Sequence, residues 1–182
     1  MPMNEHCWGI KGWKPFWYES TNEIVARLEL ENICGSIVKS TWTLWEDEEW
    51  FEDAPVIIFA GNKQLEFCAN KIGVFSFSVN TIDIHKPVSW CEEPSGFGSL
   101  RWKKDAHKSL ATLLGKRIIE IGALEYCLDK NIQKLFGQEW MLSGLYLSCD
   151  SAYIEIFNAL DSNGITCDRN SISGLRYFSC KA

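Results

Sequence analysis

PVIIFAGNKQLEFC, residues 55–68, decides how the chain is read. Val56 to Ala60 form an apolar run that stops at Gly61. A second run, Leu65-Glu66-Phe67-Cys68, follows across Asn62-Lys63. Two such runs on either side of a Gly-Asn pair predict an antiparallel hairpin over 55–70, because Gly and Asn tolerate the backbone angles of a tight turn. GLYLSCDSAYIEIF (144–157) aligns with this stretch without a gap. Leu65, Glu66 and Phe67 then fall on Ile154, Glu155 and Ile156, and the strict identity is essentially the glutamate. What recurs is a pattern: an apolar strand, a small polar turn, and a strand reading apolar-Glu-apolar. Further upstream, Gly35 opens GSIVKSTWTLW and Gly115 opens GKRIIEIGALEY, each a β-branched run leading into aromatics. These matches predict a strand-rich module present twice, over about 20–95 and 100–182. Two unrelated hairpins would also look alike at this level.

The neighbouring segments extend the strand reading. GVFSFSVN (73–80) alternates Val74, Ser76 and Ser78 with Phe75, Phe77 and Val79, the period of a strand with one buried face. EIVARLEL (23–30) alternates too, with Ile24, Ala26, Leu28 and Leu30 on one side; a helix is its rival, since Ser20 and Glu23 have capping-box spacing. KKDAHKSLATLLGKR (103–117) reads as the clear helix, near 104–114. Ala106, Leu110, Leu113 and Leu114 share its stripe, and Gly115 suits its end. Without a strand–helix–strand rhythm, the expected fold is α+β and mainly antiparallel sheet, as a single globular domain over 1–182.

Composition sets the class. Hydrophobic residues make up 46% and charged residues 23% of 182, which suits a globular chain able to bury a sizeable core. The N-terminal MPMNEHCWGIKGWKPFWYES lacks the apolar region of a secretory signal, and no run approaches the length of a membrane span. The terminal SCKA is not a prenylation box. Eight cysteines could pair into four disulfides in a secreted chain. In a chain of this length without a signal, free thiols in the cytoplasm are the expectation.

Motifs for chemistry are sparse. Even the closest cysteines, Cys167 and Cys180, are too far apart for a C-x-x-C zinc pair, and His6-Cys7 is the only adjacent combination. No cofactor or metal is expected. GIKG (9–12) and SGFGS (95–99) lack the spacing of a phosphate loop. Arg101, Lys103, Lys104 and Lys108 surround Trp102, a basic and aromatic set that could stack on a nucleic-acid strand. The acidic balance of the chain argues against nucleic acid as a partner.

That acidity has one source. WTLWEDEEWFED (42–53) carries six carboxylates and no Lys or Arg. Subtracting them leaves 24 − 6 = 18 acids against 18 Lys and Arg, so this stretch equals the whole net charge of −6. Crowded acids in a loop do not separate their pKa values as an acid–base pair does, and the D-x-D-x-D-G spacing of a calcium loop is missing. One reading is a solvated acidic loop. The other is an interface for a basic protein: Trp45 and Trp50 would anchor, and Glu46, Asp47, Glu48, Glu49, Glu52 and Asp53 would steer and meet Arg. Trp42 and Leu44 are expected to face the core, and Trp45 and Trp50 are the better candidates for exposure. Internal pairing of these acids with Arg101, Lys103 or Arg117 would end the interface reading.

The profile resembles the immunity proteins that bacteria make beside secreted toxins: small, acidic, rich in aromatics and strands, and without catalytic motifs. YIEIFNALDSNGI (153–165), a strand running into Asn158-x-x-Asp161, is similar to segments of uncharacterised bacterial proteins. The resemblance implies a non-enzymatic cytoplasmic protein that neutralises a basic partner by tight binding. The alternative is a small enzyme or ligand-binding protein whose site assembles from distant residues such as Cys68, His85 and His107. A structural subunit is a third reading.

Overall fold

A computed structural model of the chain describes residues 9–89, 98–169 and 172–180. In order, the elements are β1 (Trp17–Tyr18), α1 (Thr21–Glu31), β2 (Val38–Glu46), β3 (Glu49–Trp50), β4 (Val56–Ala60), β5 (Lys63–Ala69), β6 (Phe75–Val79) and β7 (Leu100–Lys104). Then follow α2 (Lys108–Ala111), β8 (Ile118–Cys127), α3 (Lys130–Phe136), β9 (Trp140–Cys149), β10 (Ala152–Asn158), β11 (Asn163–Thr166) and β12 (Leu175–Ser179). Among the described residues, all strand pairs are antiparallel. The fold is α+β and mainly antiparallel sheet, as the alternation predicts.

The quoted hairpin is β4–β5. Gly61 turns it at φ +60°, and Ile57 pairs with Glu66, Ile58 with Leu65. Its counterpart is β9–β10, where Tyr146 pairs with Glu155 and Leu147 with Ile154. The gapless alignment of the two stretches is therefore also their alignment in register.

The likeness extends beyond the hairpins. The first sheet runs β1-β6-β5-β4-β2, with β3 and β7 also on β2, and the second runs β11-β10-β9-β8-β12. Without β1 and β3 the orders are the same: β6-β5-β4-β2-β7 and β11-β10-β9-β8-β12. Trp42 of β2 pairs with Ile57 and Lys104; Gly122 of β8 pairs with Tyr146 and Ser179. Each long strand has a register shift near its start, at Val38/Ser40 and at Ile118/Glu120. The halves divide between β7 and α2. The strand at 100–104 thus belongs to the first half, not to the second as the 100–182 boundary expects.

The halves meet where the long strands begin. Ile37 and Arg117 form an antiparallel bridge. Around it Gly35 N–H donates to Ile118 (2.7 Å) and Gly115 N–H to Val38 (2.9 Å); Val38 N–H donates to Lys116 and Ile118 N–H to Ser36 (both 2.9 Å). Exchanging the halves maps this set of bonds onto itself. Gly35 (φ +87°) and Gly115 (φ +73°) hold the left-handed backbone that brings each strand into the crossing. From there α1 packs against β8 and β12, while α2 packs against β2. One core results. Ile58, Leu65, Phe67, Phe75 and Phe77 from the first sheet cluster with Ile121, Leu145, Leu147, Ile154 and Ile156 from the second, and with Ile24, Leu28, Leu110 and Leu113.

Three local expectations are corrected. Residues 23–30 are helical: Ile24 and Leu28 are buried one turn apart, whereas Ala26 and Leu30 face solvent. Ser20 stands at the N-cap but makes no side-chain cap bond. The helix read over 103–117 shrinks to the four residues of α2. Lys103 and Lys104 are instead in β7, paired with Thr43 and Trp42. Asp105 (φ +51°) ends that strand, its carboxylate accepting from Thr41 N–H at 2.7 Å. The stripe survives only as buried Leu110 and Leu113. Finally, Ser76 and Ser78 are as buried as the phenylalanines of β6, so both faces of that strand are covered. Among the described residues no helix is long and apolar enough to cross a membrane.

Asn163, buried at the start of β11, ties the second half to the first. Its Oδ1 accepts from Ala69 N–H (2.8 Å), and its Nδ2 donates to Glu52 (2.7 Å) and Ala54 (2.8 Å) carbonyls. Asn163→Ala removes three hydrogen bonds and strips Ala69 N–H and the Ala54 carbonyl of this partner, while the Glu52 carbonyl keeps the backbone N–H of residue 163 at 2.9 Å; it should cost about 2–3 kcal/mol of unfolding free energy. Denaturant unfolding checks this; a loss well under about 1 kcal/mol would show that the tie matters little.

Candidate functional site

The acidic stretch sits where β2 leaves its sheet. Asp47 (φ +50°) and Glu48 turn the chain from β2 into β3, and Trp45 pairs with Trp50. Glu46 Oε1 accepts from Gly98 N–H at 2.8 Å. Asp47 Oδ1 accepts from Ser99 N–H (3.0 Å) and hydroxyl (3.2 Å). Two of the six acids thus fasten the loop to the segment entering β7. Glu48 pairs with Lys103 at 3.0 Å, so the internal pairing set against the interface is met at one of the six acids, whose own side chain remains 88% exposed. The other two candidate cations do not join in: Arg117 donates to Gly35 carbonyl, and Arg101 pairs through backbone with Trp45. Among the described residues, no ion pair joins Glu46, Asp47, Glu49, Glu52 or Asp53 to a Lys or Arg.

The tryptophans do not stand free as anchors. Trp45 is half-buried, its Nε1 donating to Thr43 hydroxyl (2.9 Å) and its ring lying under Lys103 Nζ, 4.7 Å from the centroid. Trp50 packs against the main core and meets His107 ring to ring at 4.6 Å. Trp50 is therefore half-buried, not exposed as the sequence suggests. Leu44 is buried as expected, and Trp42 packs on the outer cluster of its sheet.

Beyond Trp50 the loop regains a single character. Glu49 and Glu52 are exposed, and Asp53 is partly so. Burial, then the charges of Glu52 and Asp161, raise the Asp53 carboxyl above its ordinary range. Asp161 belongs to the β10–β11 turn, where Asn158 Oδ1 accepts its N–H at 2.8 Å. Asn158-x-x-Asp161 is therefore a self-capped turn. Asn163 holds that turn beside Glu52, so Asp161 joins the acidic ridge although nothing in the spacing points to it.

The residues of the enzyme alternative occupy separate surroundings. Cys68 is buried with Ile10, Trp13, Ile57 and Ile82, its thiol against the carbonyl of Ala69 at 3.1 Å. His85 is exposed in a turn, its N–H on Asp83. His107 faces Trp50. Among the described cysteines, Cys34, Cys127, Cys149, Cys167 and Cys180 are free thiols. Burial pushes Cys149 up to about 11 and Cys180 up to about 12, which leaves both as thiols at neutral pH. His6, Cys7 and Cys91 lie outside the described residues. Among the described residues no three His, Cys, Asp or Glu gather as metal ligands would.

The sequence reading did not treat the one repeated identity as a site. Glu66 and Glu155 are both fully buried, on the faces of their sheets turned away from the shared core. The gapless alignment was the available signal.

His107 Nδ1 is buried without a hydrogen-bond partner, and burial lowers the pKa of the ring. The folded protein thus binds the His107 proton less readily than the unfolded chain does. Stability should be at its plateau above about pH 6.5 and fall on acidification from there toward the folded pKa. His107→Phe keeps the ring against Trp50 and should flatten that slope in unfolding measured from pH 7 to 5. An unchanged slope would assign the acid sensitivity elsewhere.

No family model, no curated protein and no solved structure matches the chain.

Proposed function

We propose that the protein is a non-enzymatic binding protein that neutralises a basic partner protein, of the kind bacteria make against toxins. Its contact is the ridge of Glu48, Glu49, Glu52, Asp53 and Asp161. One observation carries the reading: acids from two halves of the chain lie together, and among the described residues the ion pair they make is Glu48–Lys103. Like charges brought together raise the free energy of the folded state, a cost that a cationic partner relieves. In this reading Glu46 and Asp47 brace the loop, Trp45 and Trp50 stiffen its base, and the exposed carboxylates steer. The acidic, strand-rich character of the chain supports the immunity-protein reading at the level of class.

The test uses Glu48→Gln, Glu49→Gln and Glu52→Gln together, which spares the bracing acids. Native and variant proteins serve as baits in host extract, and the protein that the native bait retains is purified. Its association with the variant should slow about tenfold or more at low salt and lose most of its salt dependence, with folding stability nearly unchanged. Equal association rates and equal salt dependence would remove the ridge from the contact.

A further inference from the structure

Superposing the two halves by register singles out Glu155. Its counterpart Glu66 is fully engaged. Glu66 Oε1 accepts from Gln64 Nε2 (2.7 Å), Thr81 N–H (2.7 Å) and Ile82 N–H (2.8 Å), and Oε2 from the hydroxyls of Ser78 and Thr81. Ile82 then packs with Ile10 and Trp13 over that face of the sheet. In the second half Tyr153 stands where Gln64 does and likewise donates to Oε1, at 2.7 Å. Tyr177 hydroxyl adds a second bond to that oxygen at 2.9 Å. Oε2 of Glu155 is buried with no hydrogen-bond partner. A buried carboxylate oxygen without a donor is costly, and the first half shows the donors that such a position takes.

The surroundings of Glu155 fit a cation. Tyr146 lies 6.0 Å from Tyr153 and 5.7 Å from Tyr177, centroid to centroid. Gly122 leaves room for the Tyr146 ring, which a Cβ there would strike, whereas Trp42 fills the equivalent place in the first sheet. Tyr146 hydroxyl donates to Glu120 at 2.6 Å; that bond and one from Ser179 hold the Glu120 carboxyl below its ordinary range. Arg169 is exposed, yet its guanidinium carbon stands over all three rings, 4.7 Å from Tyr177, 5.7 Å from Tyr153 and 5.9 Å from Tyr146. It makes no ion pair with Glu155 or Glu120. Three aromatic faces above carboxylates form the recognition chemistry of organic cations.

We propose that Tyr146, Tyr153 and Tyr177, with Glu155 and Glu120, form a binding site for a guanidinium or alkylammonium group, which Arg169 caps in the free protein. An incoming cation displaces Arg169 and supplies the N–H donor that Glu155 Oε2 lacks. Arg169, tethered by its own loop, covers the rings without reaching that oxygen. The site shares no residue with the acidic ridge, so either proposal can fail alone.

Removing the cap exposes the site. N-acetylarginine amide is titrated into the native protein, Arg169→Ala and Arg169→Gln while the tyrosine ring resonances are followed by NMR; the glutamine variant serves if the alanine variant does not fold. The uncharged isostere N-acetylcitrulline amide is the control. The capless variants should bind the arginine probe about tenfold or more tightly than the native protein, since capping reduces the binding-competent fraction. Shifts should centre on Tyr146, Tyr153 and Tyr177, exclude the citrulline probe, and vanish when Glu155→Gln is added. A Gly-Arg-Gly amide binding more tightly than methylguanidinium identifies a protein side chain as the source of the cation; equal binding identifies a small free cation. Ring resonances unmoved in folded capless variants at tens of millimolar probe, or equal response to citrulline, would overturn the proposal and leave Arg169 as a packing residue.

Discussion

Everything in this fold hangs on the reciprocal pairing of 35–38 with 115–118. Each of its four backbone bonds contributes a net of about 0.5–1.5 kcal/mol, so the crossing is not the main source of stability. Its importance is geometric. By joining the starts of the two long strands, it lets α1 cross to the second sheet and α2 to the first. The apolar faces of both sheets then close on one core, and neither half covers its own inner face alone. Stability comes from that burial. Gly35 and Gly115 are the residues whose left-handed backbone makes the approach feasible.

With the inner faces committed, the differences between the halves lie outside. Two places matter: the exit of the long strand, and the face of each sheet turned away from the core. At the exit, the first half has the acidic turn and β3, while the second has α3, capped by Asp129 accepting from Asn131 and Ile132. On the outer face, the first half is sealed by Ile10, Trp13 and Ile82 over Ile57 and Cys68. The second carries Tyr146 where Ile57 stands and Gly122 where Trp42 stands. The same paired scaffold thus supports a closed surface on one side and a tyrosine-lined, carboxylate-floored surface on the other. The two contacts proposed above, this surface and the ridge at the β2 exit, share a chemistry suited to positive charge.

How much of this was legible in the sequence follows from what each signal measures. Hairpins and the repeat were legible because strand alternation and a Gly-containing turn are local, and because apolar-Glu-apolar occurs in both halves. α1 was ambiguous because Ile24 and Leu28 satisfy both periods; only Ala26 and Leu30, both exposed, separate them. β7 was missed because its alternation, Leu100 and Trp102 against Arg101 and Lys103, is short and runs straight into the helical spacing of Ala106, Leu110 and Leu113; its register comes from β2. The acidic stretch was visible as charge, but the roles of its tryptophans were not: Trp50 is recruited by His107 and the core, partners distant in sequence. The tyrosine cluster was the least legible feature. Glu120, Tyr146, Tyr153 and Tyr177 come from four different strands and Arg169 from the loop after β11, and only the sheet pairing brings them together.

The central claim is that the two halves are one cooperative unit built on the crossing, and native-state hydrogen exchange tests it most directly. The amides of Gly35, Val38, Gly115 and Ile118 each donate across the crossing. If the account is right, all four exchange only through global unfolding, with the same free energy as the amides of β4–β5 and β9–β10 and the same denaturant dependence. Exchange of either half at a lower free energy than the other, or of the crossing amides through a local opening that leaves both hairpins protected, would contradict it.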